Sequence, residues 1–173
     1  MTRFGTSGIR GPVGEAVTAD LALAVGRALG VDCASVVVGR DPRASGEFLQ
    51  SALVAGLRES GTDVVDVGVA ATPTVARAVG WRDADAGVSV TASHNPPEDN
   101  GLKLWQPSGQ AFDEPRRETV TDRIESGTAD LAAWDGLGTR ERTDATDRHR
   151  QALVDAVDVA EPLDVVVDVG NGA

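Results

Sequence analysis

Short apolar runs alternate along this chain with longer stretches whose apolar positions recur every third or fourth residue. The first pattern marks buried strands and the second amphipathic helices. Thr18 precedes Leu21, Val25, Ala28 and Leu29 at helical spacing, and Gly30 closes that helix. Residues 35–38 read as a strand, and 39–46 as a loop of glycine, charge and proline. Ser45 is placed to cap a second helix with Leu49, Leu53 and Leu57 on its inner face and Gly61 as its stop. Residues 64–67 form the next strand, followed by a short helix with Thr72 as cap and Pro73 in its first turn. A third strand, 87–90, runs straight into Thr91-Ala-Ser-His-Asn-Pro-Pro, and a strand at 102–105 leaves that loop. Residues 115–126 are predicted helical, 128–139 irregular, 148–159 helical, and 165–169 a strand that ends in Gly-Asn-Gly-Ala.

Strands and helices in this alternation predict an α/β fold: a three-layer α/β/α domain with a mainly parallel mixed sheet. In such sheets ligands sit outside the carboxyl ends of the strands. Three of the most polar loops follow strands, beginning at Arg40, Ala70 and Thr91. A domain edge is expected at 140–143. The last strand has no helix after it to cover it, so a chain ending at Ala173 reads as cut.

At 173 residues the chain has the size of about one domain with one core. Charge narrows its partners. With 27 acidic residues against 16 basic ones, the net charge is -11. That balance argues against a nucleic-acid footprint, which needs a basic face, and against an anionic membrane surface. Acidic, lysine-poor chains rich in alanine and valine suit a high-salt cytoplasm. Cys33 is the only cysteine, which rules out an intrachain disulfide and a cysteine-based metal site. No apolar signal region opens the chain and no apolar run is long enough to span a bilayer, so a cytoplasmic location is expected.

Three segments carry chemistry. Phe4-Gly-Thr-Ser-Gly-Ile-Arg-Gly11 has glycines that let a backbone approach a ligand, and Arg10 offers a planar fork of donors suited to phosphate. Gly39-Arg-Asp-Pro-Arg-Ala-Ser45 lies between a strand and a helix, where two arginines and a helix N-terminus could make an anion site. The alternative is a solvated turn in which Asp41 and Arg43 pair. Thr91-Ala-Ser-His-Asn-Pro-Pro-Glu-Asp-Asn-Gly-Leu-Lys103 puts Ser93 in a tight polar turn stiffened by Pro96 and Pro97. Ser93 and His94 are adjacent, so their side chains are expected to point apart, and no Gly-x-Ser-x-Gly elbow surrounds the serine. A hydrolase dyad is therefore not expected. Lys103 is the only lysine. Unlike arginine, lysine can lose its proton when shielded, which suits a proton-transfer role.

In this order and spacing the three segments resemble the α-D-phosphohexomutase superfamily, which includes phosphoglucomutases, phosphomannomutases and phosphoglucosamine mutases. The Thr91–Lys103 segment resembles its phosphoserine loop, and Val165-Val-Val-Asp-Val-Gly-Asn-Gly-Ala173 resembles the first strand and turn of its second domain. The resemblance implies that residues 1–142 are domain 1 and 143–173 the beginning of domain 2. It implies that Ser93 carries the phosphoryl group, that Arg10 and Lys103 stand beside the transferring phosphate, and that His94 belongs to the active site. Ser7, Arg40, Arg43 and Asn95 are assigned to phosphate or substrate. Mg²⁺ is implied against the Ser93 phosphate, with its other ligands in an Asp-Gly-Asp type loop that this chain lacks; a hexose 1,6-bisphosphate is implied as activator. Asp83-Ala-Asp85 is read as a surface turn. The implied reaction interconverts hexose 1- and 6-phosphates, with the family's remaining domains as partner, and the chain alone is expected to be inactive. The other reading is a non-catalytic module that binds a sugar phosphate or a partner. Intact Ser93, Lys103 and Arg10 favour the enzyme.

Overall fold

The computed structural model describes residues 4–127, 129–170 and 172. In chain order the elements are β1 (Ile9–Pro12), α1 (Ala19–Gly30), β2 (Ser35–Arg40), α2 (Gly46–Glu59), β3 (Asp63–Val69) and α3 (Thr72–Trp81). They continue with β4 (Ala86–Val90), β5 (Asp99–Trp105), α4 (Glu114–Ser126), β6 (Arg140–Arg142) and α5 (Thr146–Ala156). The strands form one sheet in the order β1-β5-β4-β2-β3-β6. β4, β2, β3 and β6 run parallel, whereas β5 is antiparallel to both β4 and β1. The fold is the expected α/β domain with a mainly parallel mixed sheet.

Strand alternation separates two cores. Val36 and Val38 of β2 point into a cluster with Val25 of α1, Leu49, Leu53 and Leu57 of α2, and Val120 of α4. Val37, between them in sequence, points the other way, into a cluster with Val75 and Val79 of α3. All three valines are fully buried, which is why β2 shows a continuous apolar run and no alternation. α1 and α2 pack so closely that a Cβ on Gly26 or Gly56 would stand 2.4 or 2.2 Å from a main-chain oxygen of the other helix.

Several local expectations change. Thr18 caps α1 as predicted, its hydroxyl accepting from Leu21 N at 3.2 Å. Ser45 stands at the N-cap of α2 but makes no capping bond; its Oγ instead accepts from Asn100 Nδ2 at 2.9 Å. Thr72 is the first residue of α3, and the cap position is Ala71. β1 and β6 were not anticipated as strands. β6, inside the expected domain edge, lies on the free edge of β3, and Arg140 anchors it by donating from Nε and Nη2 to the buried Asp66 carboxylate at 3.1 and 2.5 Å. The predicted strand at 165–169 does not form: the segment pairs with no described strand, and Val166 is 99% exposed. The helix expected at 148–159 runs instead from Thr146 to Ala156. Thr128, Asn171 and Ala173 of the predicted segments lie outside the described residues. No described helix is long and apolar enough to cross a membrane.

Candidate active site

The chain leaves the buried strand β4 through buried Thr91 and Ala92 and then surfaces abruptly, with Ser93 and His94 exposed. Ser93 makes this turn at φ 59°, in the left-handed region that L-residues other than asparagine and aspartate seldom occupy. That conformation overturns the expectation that its side chain and the next diverge. Ser93 Oγ lies 3.3 Å from His94 Nδ1. Among the described residues no carboxylate stands behind the imidazole, so the pair lacks the third member of a hydrolase relay. Asn95 turns inward, its Nδ2 donating to Asp99 Oδ2 at 2.9 Å.

Asp41 and Arg43 underlie this turn. Arg43 Nε donates to Asp41 Oδ2 at 3.2 Å. Its Nη1 donates to the carbonyls of Pro96 and Asp99 at 2.6 and 2.9 Å, and its Nη2 to those of Ser93 and Asn95 at 2.9 and 2.6 Å. Asp41 also accepts from Arg43 N at 3.1 Å and from Thr91 Oγ1 at 2.7 Å. Thr91 Oγ1 in turn accepts from Ser93 N at 3.0 Å. The pair is thus not a solvated turn: the two side chains are 13% and 17% exposed. Sequence reading missed Thr91 and undervalued Asp41, because nothing in their spacing shows which way the Arg43 fork faces.

Arg40 parts company with Arg43. Its Nη1 donates to the Asp41 carbonyl at 3.3 Å, and it lines a separate cleft with Asp66, Arg140 and Arg142. The Ser93 cleft, of ≈ 990 Å³, is lined by Ser93, His94, Asn95, Arg43 and the Ala70–Thr72 entrance to α3, at the carboxyl ends of β3 and β4.

Arg10 and Lys103 form a second group, on β1 and β5. Arg10 pairs with Gly101, two residues from Lys103, so both side chains share one face of the sheet. Glycine is required at 101: a Cβ there would lie 2.2 Å from the Ile9 carbonyl oxygen and 2.9 Å from Arg10 Cγ. Lys103 Nζ stands 4.3 Å from the centroid of the Trp105 ring. Burial, and then the Arg10 charge, hold its ammonium below the usual lysine range. Arg10 Nε is buried with no hydrogen-bond partner among the described residues. Ser7 is exposed in the tight turn where Gly5 and Gly8 exchange backbone hydrogen bonds. Ser7, Arg10, Arg40 and Lys103 do not line the Ser93 cleft in this structure.

A family model described as phosphoglucomutase/phosphomannomutase, alpha/beta/alpha domain I, matches residues 1–130. The chain belongs to the phosphoglucomutase/phosphomannomutase family. Among curated relatives, a probable phosphoglucosamine mutase of Thermococcus gammatolerans is 47% identical over 173 residues, covering 98% of this chain and 38% of the relative. Another of that name, from Methanococcoides burtonii, is 44% identical and covers 100% and 40%. A crystal structure of a phosphoglucomutase/phosphomannomutase family protein from Burkholderia thailandensis superimposes with a TM-score of 0.80 at 34% identity, over 94% of this chain and 37% of that one. The chain therefore spans about two fifths of the length of the family members it matches.

The phosphohexomutase family implies Mg²⁺. Among the described residues, no group of three or more histidine, cysteine, aspartate or glutamate side chains could hold a metal ion. Asp85, half of the one Asp-x-Asp pair near the site in sequence, accepts from Ala34 N and Ser35 N at 2.8 and 3.0 Å and so belongs to the base of β2.

Proposed function

We propose that this chain is the phosphoserine-bearing part of a cytoplasmic phosphohexomutase that interconverts hexose 1- and 6-phosphates through a bisphosphate intermediate. One observation carries the reading: Ser93 stands exposed in a left-handed turn at the carboxyl end of a parallel strand, lining an open cleft. The amino-sugar phosphates are the first substrates to try, because the relatives cited above are named probable phosphoglucosamine mutases.

In the proposed reaction the bond from phosphorus to Ser93 Oγ breaks as one to a sugar hydroxyl oxygen forms. The hydroxyl proton leaves to a base, and Ser93 Oγ gains a proton. His94 Nδ1, at 3.3 Å, is placed to exchange the proton at Ser93 Oγ. Lys103, shielded enough to lower its proton affinity, is the candidate base for the sugar hydroxyl, and Arg10 contributes positive charge beside it. The sugar then turns over, its other phosphate returns to Ser93, and a hexose 1,6-bisphosphate serves as activator. Mg²⁺ against the Ser93 phosphate would draw its remaining ligands from outside residues 1–173, and residues 143–173 are assigned to the opening of a second domain.

A non-catalytic sugar-phosphate module is the other reading. A coupled assay separates the two in a full-length enzyme containing this segment, with glucosamine 1-phosphate and catalytic bisphosphate. Turnover that Ser93→Ala removes supports the mutase; equal rates for wild type and Ser93→Ala contradict it.

A further inference from the structure

We propose that Arg43 and Asp41 are positioning residues that template the Ser93 turn, and that neither binds the phosphate of a substrate. The proposal rests on Ser93 being the phosphoryl carrier. A guanidinium has five N–H groups. All five of Arg43's are engaged: one by Asp41 and four by the carbonyls of Ser93, Asn95, Pro96 and Asp99. No donor remains to grip an anion in the cleft.

The turn needs this help for a chemical reason. Pro96 and Pro97 have no N–H, so the loop is short of donors for its own carbonyls. Four carbonyl dipoles that converge on one point repel unless a cation fills it, and only a planar fork reaches all four. Lysine, with three donors on a single nitrogen, cannot span them. Asp41 does the complementary work. It accepts the only hydroxyl hydrogen of Thr91, which leaves a lone pair of Thr91 Oγ1 to accept Ser93 N–H. Both main-chain polar groups of Ser93 are thereby fixed, its N–H by Thr91 and its carbonyl by Arg43. What stays free of the clamp is Oγ, the atom that must reach phosphorus. The disfavoured φ of Ser93 persists because its surroundings over-determine it.

Two variants test the clamp: Arg43→Lys, which keeps the charge and loses the fork, and Thr91→Val, which keeps the shape and loses the relay. In the 173-residue chain, amide hydrogen exchange at Ser93, Asn95 and Asp99 should quicken about tenfold in Arg43→Lys, while β2 and β4 keep their protection. Thr91→Val should quicken Ser93 foremost, and it decides the matter alone if Arg43→Lys does not fold. In a full-length enzyme, Arg43→Lys should lower kcat by roughly 10²-fold through misplacement of Oγ, with KM for the sugar phosphate within about twofold of wild type. Loop exchange unchanged in both variants would overturn the proposal. So would a raised KM with kcat preserved, which would make Arg43 a substrate ligand. A wild-type enzyme without Ser93-dependent turnover would remove the mutase reading, and the exchange measurement would still decide whether the clamp exists.

Discussion

The two halves of the candidate site are built on opposite principles. Around Ser93 the supporting side chains are engaged: the Arg43 fork is saturated, Thr91 is paired with Asp41, and Asn95 is tied back to Asp99. Around Arg10 and Lys103 donors are left unused. Arg10 Nε is buried without a partner among the described residues, and Lys103 rests on the Trp105 ring. One half holds geometry and has no charge to give; the other holds charge and proton affinity that the domain itself does not consume. Phosphoryl transfer asks for both, position and charge neutralisation, and here they sit on different strands of one sheet.

The largest expected effect comes from the uncommitted half. Lys103→Arg keeps the charge but puts a guanidinium that does not deprotonate where a lysine could, so turnover in a full-length enzyme should fall by roughly 10²-fold or more. Near-normal rates would reduce Lys103 to a steering charge. A smaller effect should follow from Arg10→Met, read in the pH dependence of kcat. Burial and the Arg10 charge both disfavour the Lys103 ammonium. Removing Arg10 therefore lets lysine hold its proton to higher pH, and the rising limb of the profile should move alkaline. An acid shift would show that the two groups are not coupled as described.

The strained half makes its own prediction. An L-residue in the left-handed region costs roughly 1–2 kcal/mol, which glycine avoids. Ser93→Gly should thus be more stable than Ser93→Ala by about 1 kcal/mol in thermal or denaturant unfolding, although neither carries phosphate. Equal stability would mean that the turn is not strained. Smallest of all is the effect of Val166→Asn in the 173-residue chain, expected within about 0.5 kcal/mol of wild type because Val166 is 99% exposed there.

Val166 also marks where sequence reading stops. The run at 165–169 has every local property of a strand, as do 35–38 and 64–67, but a strand also needs a neighbour, and hydrogen-bonding partners lie far apart in sequence. The converse error occurred at β6. Arg-Glu-Arg has no apolar pattern, yet it pairs with β3 because the Asp66 carboxylate waits behind it for Arg140. Helices were easier, since their caps and periodicity are local: Thr18 and Leu49, Leu53 and Leu57 behave as their spacing predicts. Ser45 did not: its backbone is already helical where a capping residue's is extended, and its Oγ accepts from Asn100, 55 residues away. The site shows the same division. The tight turn at Ser93 was legible from its residues, but the distinction between Arg40 and Arg43, three positions apart in one loop, lies in the direction of two side chains. Arg43 is turned by carbonyls of another loop, whereas Arg40 donates to the carbonyl of its neighbour Asp41.

The central claim is that Ser93 is presented to receive and return a phosphoryl group. Incubating a full-length enzyme containing this segment with glucose 1,6-bisphosphate, followed by intact mass and peptide mapping, tests it most directly. A single phosphoryl group on the peptide containing Ser93, absent from Ser93→Ala, is the predicted result; phosphate on another residue with Ser93 bare would contradict it.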